Sequence, residues 1–199
     1  MDSVDISEWQ RDEENSPYPE GARDKYALIS PPQPSDNRIV PNHRYLLKFS
    51  NKRYPVQFWS ELIACDIAKR MGVEAPPTFY AEDNVTGEPA SLVEWFYGAA
   101  IEGEDGINQI VKPNPDVELS DIPDSVPSTH SLYVSGGSYM VRHIKGYDLK
   151  KGSQHNFTTI RHIIVAFRKK WSIDYWEHWV RTLLFDSVIG NTDRHQDNW

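Results

Sequence analysis

The most concentrated set of chemically capable side chains lies at the end of the sequence. Residues 191–198 are all polar, and they follow an apolar, helix-compatible run that ends at Gly190. Asp193 and Asn198 are five residues apart, with Arg194 and His195 between them. At this spacing a single loop can hold a carboxylate base and a metal-binding amide around a phosphate group.

These residue types match what phosphoryl transfer requires of a protein, namely positioned charge and an acceptor for the proton of the nucleophile. Asp193 can orient a hydroxyl group and take its proton, and Asn198 can offer a neutral oxygen to Mg²⁺. Arg194 can neutralise a phosphate or a buried carboxylate, and His195 can brace the loop. The spacing from Asp to Asn equals that in the protein-kinase pattern H-R-D-x-x-x-x-N, although here the basic residues follow the Asp.

Residue types alone leave two other interpretations of this loop open. Asp193, Asp197 and Asn198 can simply cap turns, as such residues often do. Asp193, His195 and Asp197 can instead ligate a hydrolytic metal ion, but that site needs further ligands, and no His-x-x-x-His pair stands nearby.

Charge and length limit what the chain can bind. Its 199 residues suffice for one domain or for two small lobes around a shared cleft. The net charge of −8 argues against a general nucleic-acid binder. Residues 150–199 nevertheless hold eight Lys and Arg against five Asp and Glu, a local charge of +3. That balance suits an anionic ligand such as a nucleotide, and a solvated helix face explains the same charges.

Cysteine content and hydropathy predict a reducing, non-membrane environment. The single cysteine, Cys65, excludes an internal disulfide framework and lies in an apolar run typical of a buried thiol. No apolar run reaches 18 residues, and the acidic start of the chain lacks the features of a signal peptide. We therefore expect a cytoplasmic protein.

The first half of the chain predicts an antiparallel sheet with one helix. A polar segment over residues 1–20 is expected to be loosely packed and is followed by a charged turn. Strands are predicted at Tyr26–Ser30 and His43–Ser50 and, around a turn at residues 84–87, at Thr78–Ala81 and Ser91–Phe96.

Two residues of this half could approach each other. Alternation in the second strand places Lys48 on the face of Arg44 and Leu46, opposite the other apolar side chains. A helix is predicted from Gln57 to Met71, ending at Gly72, with Glu61 one turn into it. Glu61 could pair with Lys48, or both could be solvated. The predicted apolar face of the helix comprises Trp59, Leu62, Ile63, Ile67 and Met71.

The second half is predicted to be mainly helical after an irregular stretch. Residues 98–130 lack periodicity and suggest a linker or insertion with room for one short helix. Ser131–Arg142 predicts a short hairpin around Gly136 and Gly137. Two helices follow, Phe157–Lys170 and, capped by Asp174, Tyr175–Val188. The second helix delivers the polar loop, and its predicted apolar side comprises Trp176, Trp179, Val180, Leu183 and Leu184.

Several segments in the same order resemble HipA-like serine/threonine kinases, the toxin-type bacterial kinases. Ile189–Trp199 is similar to the catalytic loop of that family. The other matching segments are Glu20–Lys25 (the phosphate-covering loop), Leu46–Phe49 (the strand with the ATP-contacting Lys), Phe58–Pro77 (the helix that carries an ion-pairing Glu, with its exit) and Leu92–Phe96 (the hinge strand that holds adenine). Together they cover most of residues 18–199.

The resemblance implies ATP and Mg²⁺ as cofactors and assigns roles to individual residues. Lys48 would contact the α and β phosphates and pair with Glu61. Asp193 would be the catalytic base, Asn198 the Mg²⁺ ligand, and His195 would lie with the nucleotide-binding residues. The remaining nucleotide contacts would come from the phosphate loop and the hinge: Gly21, Ala22, Arg23, Lys25, Glu94 and Phe96.

The implied architecture is an α+β, two-lobed protein-kinase-like fold. Residues 1–17 would be an arm, 18–97 an antiparallel-sheet N-lobe with one long helix, 98–140 a linker or insertion, and 141–199 the start of a helical C-lobe. In the family a second metal-binding Asp and further helices follow the catalytic loop, and both would lie beyond Trp199. We therefore expect this chain to transfer phosphate very weakly or not at all.

Three functions remain open at this point. The first is an ATP- and Mg²⁺-dependent protein serine/threonine kinase. The second is a non-catalytic module that binds a nucleotide or a partner, and the third is a lipid or small-molecule kinase, because phosphoinositide kinases carry a similar D-R-H-x-x-N loop. The expected partners are a protein substrate and, as a further candidate, an antitoxin protein, with nucleic acid reached only through a partner and no membrane contact.

Overall fold

The chain has a mixed α+β fold in two compact units. The computed structural model describes residues 2–13, 23–83, 85–95, 100–102, 108–110, 136–148, 151–152, 154–172 and 174–195. Unit 1 comprises residues 1–69, 74–112 and 128–131, and unit 2 comprises residues 70–73, 113–127 and 132–199.

Unit 1 is built on a five-stranded antiparallel sheet with the strand order β1-β2-β3-β5-β4. A helix, α1, lies between β3 and β4 in the sequence, and a separate hairpin of β6 and β7 follows β5. The sequence predicts no strands at that hairpin. The elements are β1 (Gln10–Arg11), β2 (Lys25–Ile29), β3 (Arg44–Phe49), α1 (Phe58–Met71), β4 (Thr78–Glu82), β5 (Pro89–Glu94), β6 (Ala100–Glu102) and β7 (Asn108–Ile110).

The alternation predicted for β3 is confirmed. Tyr45 and Leu47 are fully buried and Phe49 is nearly so, because this face of the sheet forms the core of unit 1. Leu46 and Lys48 are half-buried on the other face. The two-residue period therefore separates the core from the face that carries Lys48. The buried core comprises Val4, Ile6, Leu28, Ile39, Tyr45, Leu47, Phe49, Ala81, Ala90 and Leu92.

The expectation of a loosely packed start is wrong for residues 2–13. Val4 and Ile6 are buried in the core, and the Val4 amide donates to the carbonyl of Tyr80 at 2.8 Å. Strand β1 pairs with β2. Burial of these two apolar side chains, the bond to Tyr80 and the pairing of β1 with β2 together anchor this polar, acidic segment.

Helix α1 begins and ends close to where the sequence predicts, but its buried face differs. Gly72 follows its last residue with φ +65°, the left-handed geometry that ends helices. Leu62 is buried as predicted, whereas Trp59 and Ile63 are 41% and 54% exposed. The side chains that pack inward with Leu62 are Phe58 and Ala68.

Unit 2 contains three described helices: α2 (Gly136–His143), α3 (Phe157–Trp171) and α4 (Trp176–Ile189). The predicted hairpin around Gly136 and Gly137 is wrong, because these glycines begin α2. Helix α3 is confirmed and starts with an Asn156 cap, whose Oδ1 accepts from the Thr159 amide at 3.1 Å. The helices share a core of Met140, Ile160, Ile163, Ile164 and Trp179.

Helix α4 delivers the polar loop, as predicted. Asp174 accepts from the amide of Trp176 at 3.0 Å, although the cap position itself is Tyr175. The predicted apolar side is correct only at Trp179, which is buried; its other members are 37–56% exposed, and the remaining buried side chains are Phe185 and Asp186. No helix in the described ranges is both long enough and apolar enough to span a membrane.

Candidate functional site

The predicted phosphate-contacting residues of unit 1 converge on Glu61. Lys48 projects from β3 on the half-buried face of the sheet, and Glu61 lies in the first turn of α1. Lys48 Nζ lies 3.4 Å from Glu61 Oε2. The predicted Lys48–Glu61 ion pair is therefore present.

Arg23 is the second partner of Glu61. Its Nη2 donates to Glu61 Oε1, so that each carboxylate oxygen faces a different cation. The side chains of Arg23, Lys48 and Glu61 are only 21–26% exposed. The structure thus brings a residue of the predicted phosphate loop to the predicted ion pair.

The charge state of Glu61 follows from this environment. Burial raises the pKa of its carboxyl group, but the charge of Lys48 and the hydrogen bond and charge of Arg23 lower the pKa more, and the net shift is downward. Glu61 is therefore ionised at neutral pH and holds both cations.

Lys25 adds a third positive charge to this face. In the antiparallel pairing of β2 with β3, Lys25 lies directly opposite Lys48. Directly opposed residues point to the same face of a sheet, and like charges in that position destabilise the pairing. Arg23, Lys25 and Lys48 are charged donors of the kind that bind an anion such as a polyphosphate.

The predicted hinge begins at the end of β5. The Glu94 amide donates to the carbonyl of Pro77 at 2.8 Å, and the next amide, of Trp95, donates to Arg44 at 2.9 Å. In an antiparallel ladder Pro77 would return a bond to the Glu94 carbonyl, but proline has no N–H. That carbonyl thus receives no ladder bond from Pro77.

Four predicted site residues lie outside the described residues: Gly21, Ala22, Phe96 and Asn198. The predicted metal ligand, Asn198, is among them. Within the described ranges no group of three or more His, Cys, Asp and Glu side chains could hold a metal ion.

In unit 2, a buried carboxylate braces the loop that follows α4. Asp186 is 5% exposed. Its two oxygens accept from Arg194 Nε and Nη2, each at 2.7 Å, and Oδ1 also accepts from Asn191 Nδ2 at 2.8 Å. Gly190, with φ +69°, turns the chain between helix and loop. The planar guanidinium fork fits both oxygens, which fixes the direction of the loop.

The contact decides between the two roles predicted for Arg194, and it adds Asp186, which lies outside the polar motif. Arg194 neutralises a buried carboxylate. Burial raises the pKa of Asp186, but the hydrogen bonds from Arg194 and Asn191 and the charge of Arg194 outweigh burial, so the pKa is lowered. One signal for Asp186 was available in the sequence: it is a lone carboxylate in the apolar run that ends at Gly190.

Asp193 is presented to solvent by this loop. Its side chain is 82% exposed, and His195 Nε2 lies 3.8 Å from its Oδ1. The Asp193 amide donates to Asn191 Oδ1 at 3.1 Å. Asn191 therefore links the buried carboxylate of Asp186 to the backbone of Asp193.

Comparisons with protein-family models, with curated proteins and with solved structures find no match to this chain. The possible chemistry of the candidate site therefore has to be argued from its geometry alone. Unit 1 offers Arg23 and Lys48, both held by Glu61, and unit 2 offers the exposed carboxylate of Asp193 on a braced loop. The first can hold an anion, and the second can accept a proton.

Proposed function

We propose that this chain is a kinase-like protein that binds ATP with Mg²⁺ and transfers a phosphoryl group, at the very low rate expected from the sequence, to a serine or threonine hydroxyl of a protein. The observation that carries the proposal is the ion pair between Lys48 on β3 and Glu61 on α1. Protein kinases require a strand lysine held by a helix glutamate to position the nucleotide phosphates. The antiparallel sheet with one helix in unit 1 is the setting that a kinase N-lobe would provide.

The nucleotide would be held along the face of the sheet that carries Lys48. Lys48 and Lys25 would contact phosphate oxygens, and Glu61 would keep the Lys48 side chain extended toward them. The Glu94 carbonyl, which receives no ladder bond from Pro77, would accept a hydrogen bond from the adenine amine. Lys48 and Lys25 would thus bind the phosphate end of the nucleotide, and the Glu94 carbonyl would bind its purine end.

Asp193 would act on the accepting hydroxyl. An exposed carboxylate on a rigid loop can orient the hydroxyl and take its proton as the phosphoryl group arrives. The bond from Asn191 to the Asp193 amide and the Asp186–Arg194 brace would keep that carboxylate in place. Mg²⁺ would neutralise charge on the phosphates, with Asn198 as the implied ligand.

Titration calorimetry with ATP and Mg²⁺ tests the nucleotide site. We expect binding at millimolar ATP or below, weakened about tenfold or more by Lys48→Met, because hydrogen bonds to charged groups contribute about 1.5–3 kcal/mol. Lys52→Met, an exposed lysine in the same unit, is the matched control and should bind like the wild type. Absence of binding at millimolar ATP would overturn the proposal.

Transfer is tested separately with γ-labelled ATP and a panel of protein and lipid acceptors. Label on serine or threonine that Asp193→Asn removes would support the kinase function. Label on a lipid or small molecule would assign the other kinase class. ATP binding with no transfer to any acceptor would leave a non-catalytic nucleotide-binding module and contradict the transfer step.

A further inference from the structure

The two carboxylate oxygens of Glu61 face two different cations, Arg23 and Lys48, and the two interactions are unequal in strength. Arg23 Nη2 donates a hydrogen bond to Glu61 Oε1, whereas Lys48 Nζ lies 3.4 Å from Oε2, beyond the usual range of about 2.7–2.9 Å for a charge-assisted hydrogen bond. Both cations are about one-fifth exposed, so water only partly screens the competition. In this state Glu61 is committed more to Arg23 than to Lys48.

Arg23 still has bonding capacity in this position. Its Nη1 atom is buried and has no hydrogen-bond partner among the residues that the structure describes. Buried donors without acceptors are costly, and a guanidinium group presents five donors in a planar fork. A phosphate group would supply the missing acceptor.

We propose that Arg23 is a positioning residue that competes with Lys48 for Glu61 and that a bound nucleoside triphosphate removes this competition. Without nucleotide, Arg23 holds the Glu61 carboxylate. With nucleotide, its guanidinium group turns to a phosphate oxygen, and Glu61 closes onto Lys48. The exchange would couple occupancy of the phosphate site to formation of the ion pair. The inference depends on the proposed nucleotide-binding function.

Competition within the free protein can be measured first. A double-mutant cycle of Lys48→Met and Glu61→Gln gives the coupling free energy between these two residues from urea unfolding of its four chains. The cycle is measured twice, once with Arg23 present and once in the Arg23→Gln background. Removing Arg23 should increase this coupling, because Glu61 is then free to approach Lys48. An unchanged coupling would overturn the competition.

The response to nucleotide is measured by titrating ATP–Mg²⁺ and, separately, adenosine into wild type, Arg23→Gln and Arg23→Lys. Arg53→Gln is the control, since Arg53 is an exposed guanidinium of the same unit that lies over the Tyr54 ring. We expect Arg23→Gln to weaken ATP binding about tenfold or more and to leave adenosine binding unchanged. Arg23→Lys should restore part of the loss, because it keeps the charge without the fork.

The outcomes separate the two proposals. Equal weakening of ATP and adenosine, or no weakening of either, would overturn the role of Arg23 while the nucleotide site stands. Failure of the wild-type chain to bind both ligands would overturn the proposed function, and the role of Arg23 with it. Circular dichroism melting of each variant confirms that the measured chain is folded.

Discussion

Replacing Asp186 with Asn should release the loop that carries Asp193. Asp186 is the buried centre of this loop and accepts three side-chain hydrogen bonds, two from Arg194 and one from Asn191. The substitution keeps the size of the side chain but removes its charge, and it places an amide group opposite one of the Arg194 donors. The bidentate pair is then lost, and Arg194 keeps its charge without a carboxylate.

The magnitude follows from the burial of the pair. Breaking a buried ion pair by removing one partner costs about 3–5 kcal/mol. The Arg194 side chain is 24% exposed, so water recovers part of that loss, and the remaining amide oxygen can still accept. We therefore expect the free energy of unfolding of unit 2 to fall by about 2–3 kcal/mol. Amide exchange over residues 186–195 should accelerate first, because the loop opens locally.

Urea unfolding and hydrogen exchange measure these two effects, and Glu177→Gln provides a matched control. Glu177 is a carboxylate in the same helix that also pairs with an arginine, Arg181, at 2.7 Å, but its side chain is 76% exposed. Such exposed i,i+4 pairs contribute about 0.3–0.5 kcal/mol. Equal destabilisation by the two substitutions, or unchanged exchange in the loop after Asp186→Asn, would refute the reasoning from burial.

Three further predictions concern a helix cap, pH and catalysis. Asn156→Ala should lower the free energy of unfolding by about 1 kcal/mol, measured in urea, because it removes the cap of α3. The pKa of both Glu61 and Asp186 is lowered on folding. The two carboxylates therefore stabilise the fold above their unfolded pKa of about 4, and this stabilisation is lost as pH falls through their folded pKa values. Glu61→Gln should make the melting temperature less dependent on pH in this acidic range. Asp193→Asn should lower any rate of phosphoryl transfer about 100-fold or more and leave the calorimetric affinity for ATP unchanged.

Regular alternation and turn chemistry were sufficient to predict much of unit 1. The pattern around Lys48 has a two-residue period, and one face of the sheet is buried, so the register of β3 has a single stable solution. Gly72 ends α1 as predicted because glycine readily adopts positive φ. The residues alone left the Lys48–Glu61 pair as one of two alternatives, the resemblance to HipA-like kinases implied it, and the structure contains it.

The apolar faces of the helices were harder to predict because they depend on tertiary packing. In α1, apolar residues occur on more than one side, and periodicity alone cannot choose between Phe58, which is buried, and Ile63, which is exposed. Gly136 and Gly137 suggested a turn, but glycine costs a helix only about 1 kcal/mol per residue, and packing of Met140 in the core favours α2.

In the candidate site, too, features set by neighbouring residues could be predicted, whereas contacts between distant residues could not. The spacing within residues 191–198 is local and pointed to Asp193 directly. The roles of Asp186 and Arg23 arise from contacts across eight and 38 residues of sequence, which no short pattern contains. Arg23 was expected near phosphate, but its bond to Glu61 became visible only in the structure.

The most direct test of the nucleotide site is labelling with an acyl phosphate of ATP, a reagent that acylates lysines beside the bound phosphates. Peptide mass spectrometry then locates the label. The proposed site predicts label on Lys48 or on Lys25 opposite it, suppressed by excess ATP with Mg²⁺. Label spread over exposed lysines such as Lys52, unaffected by ATP, would contradict a nucleotide site on this face of the sheet.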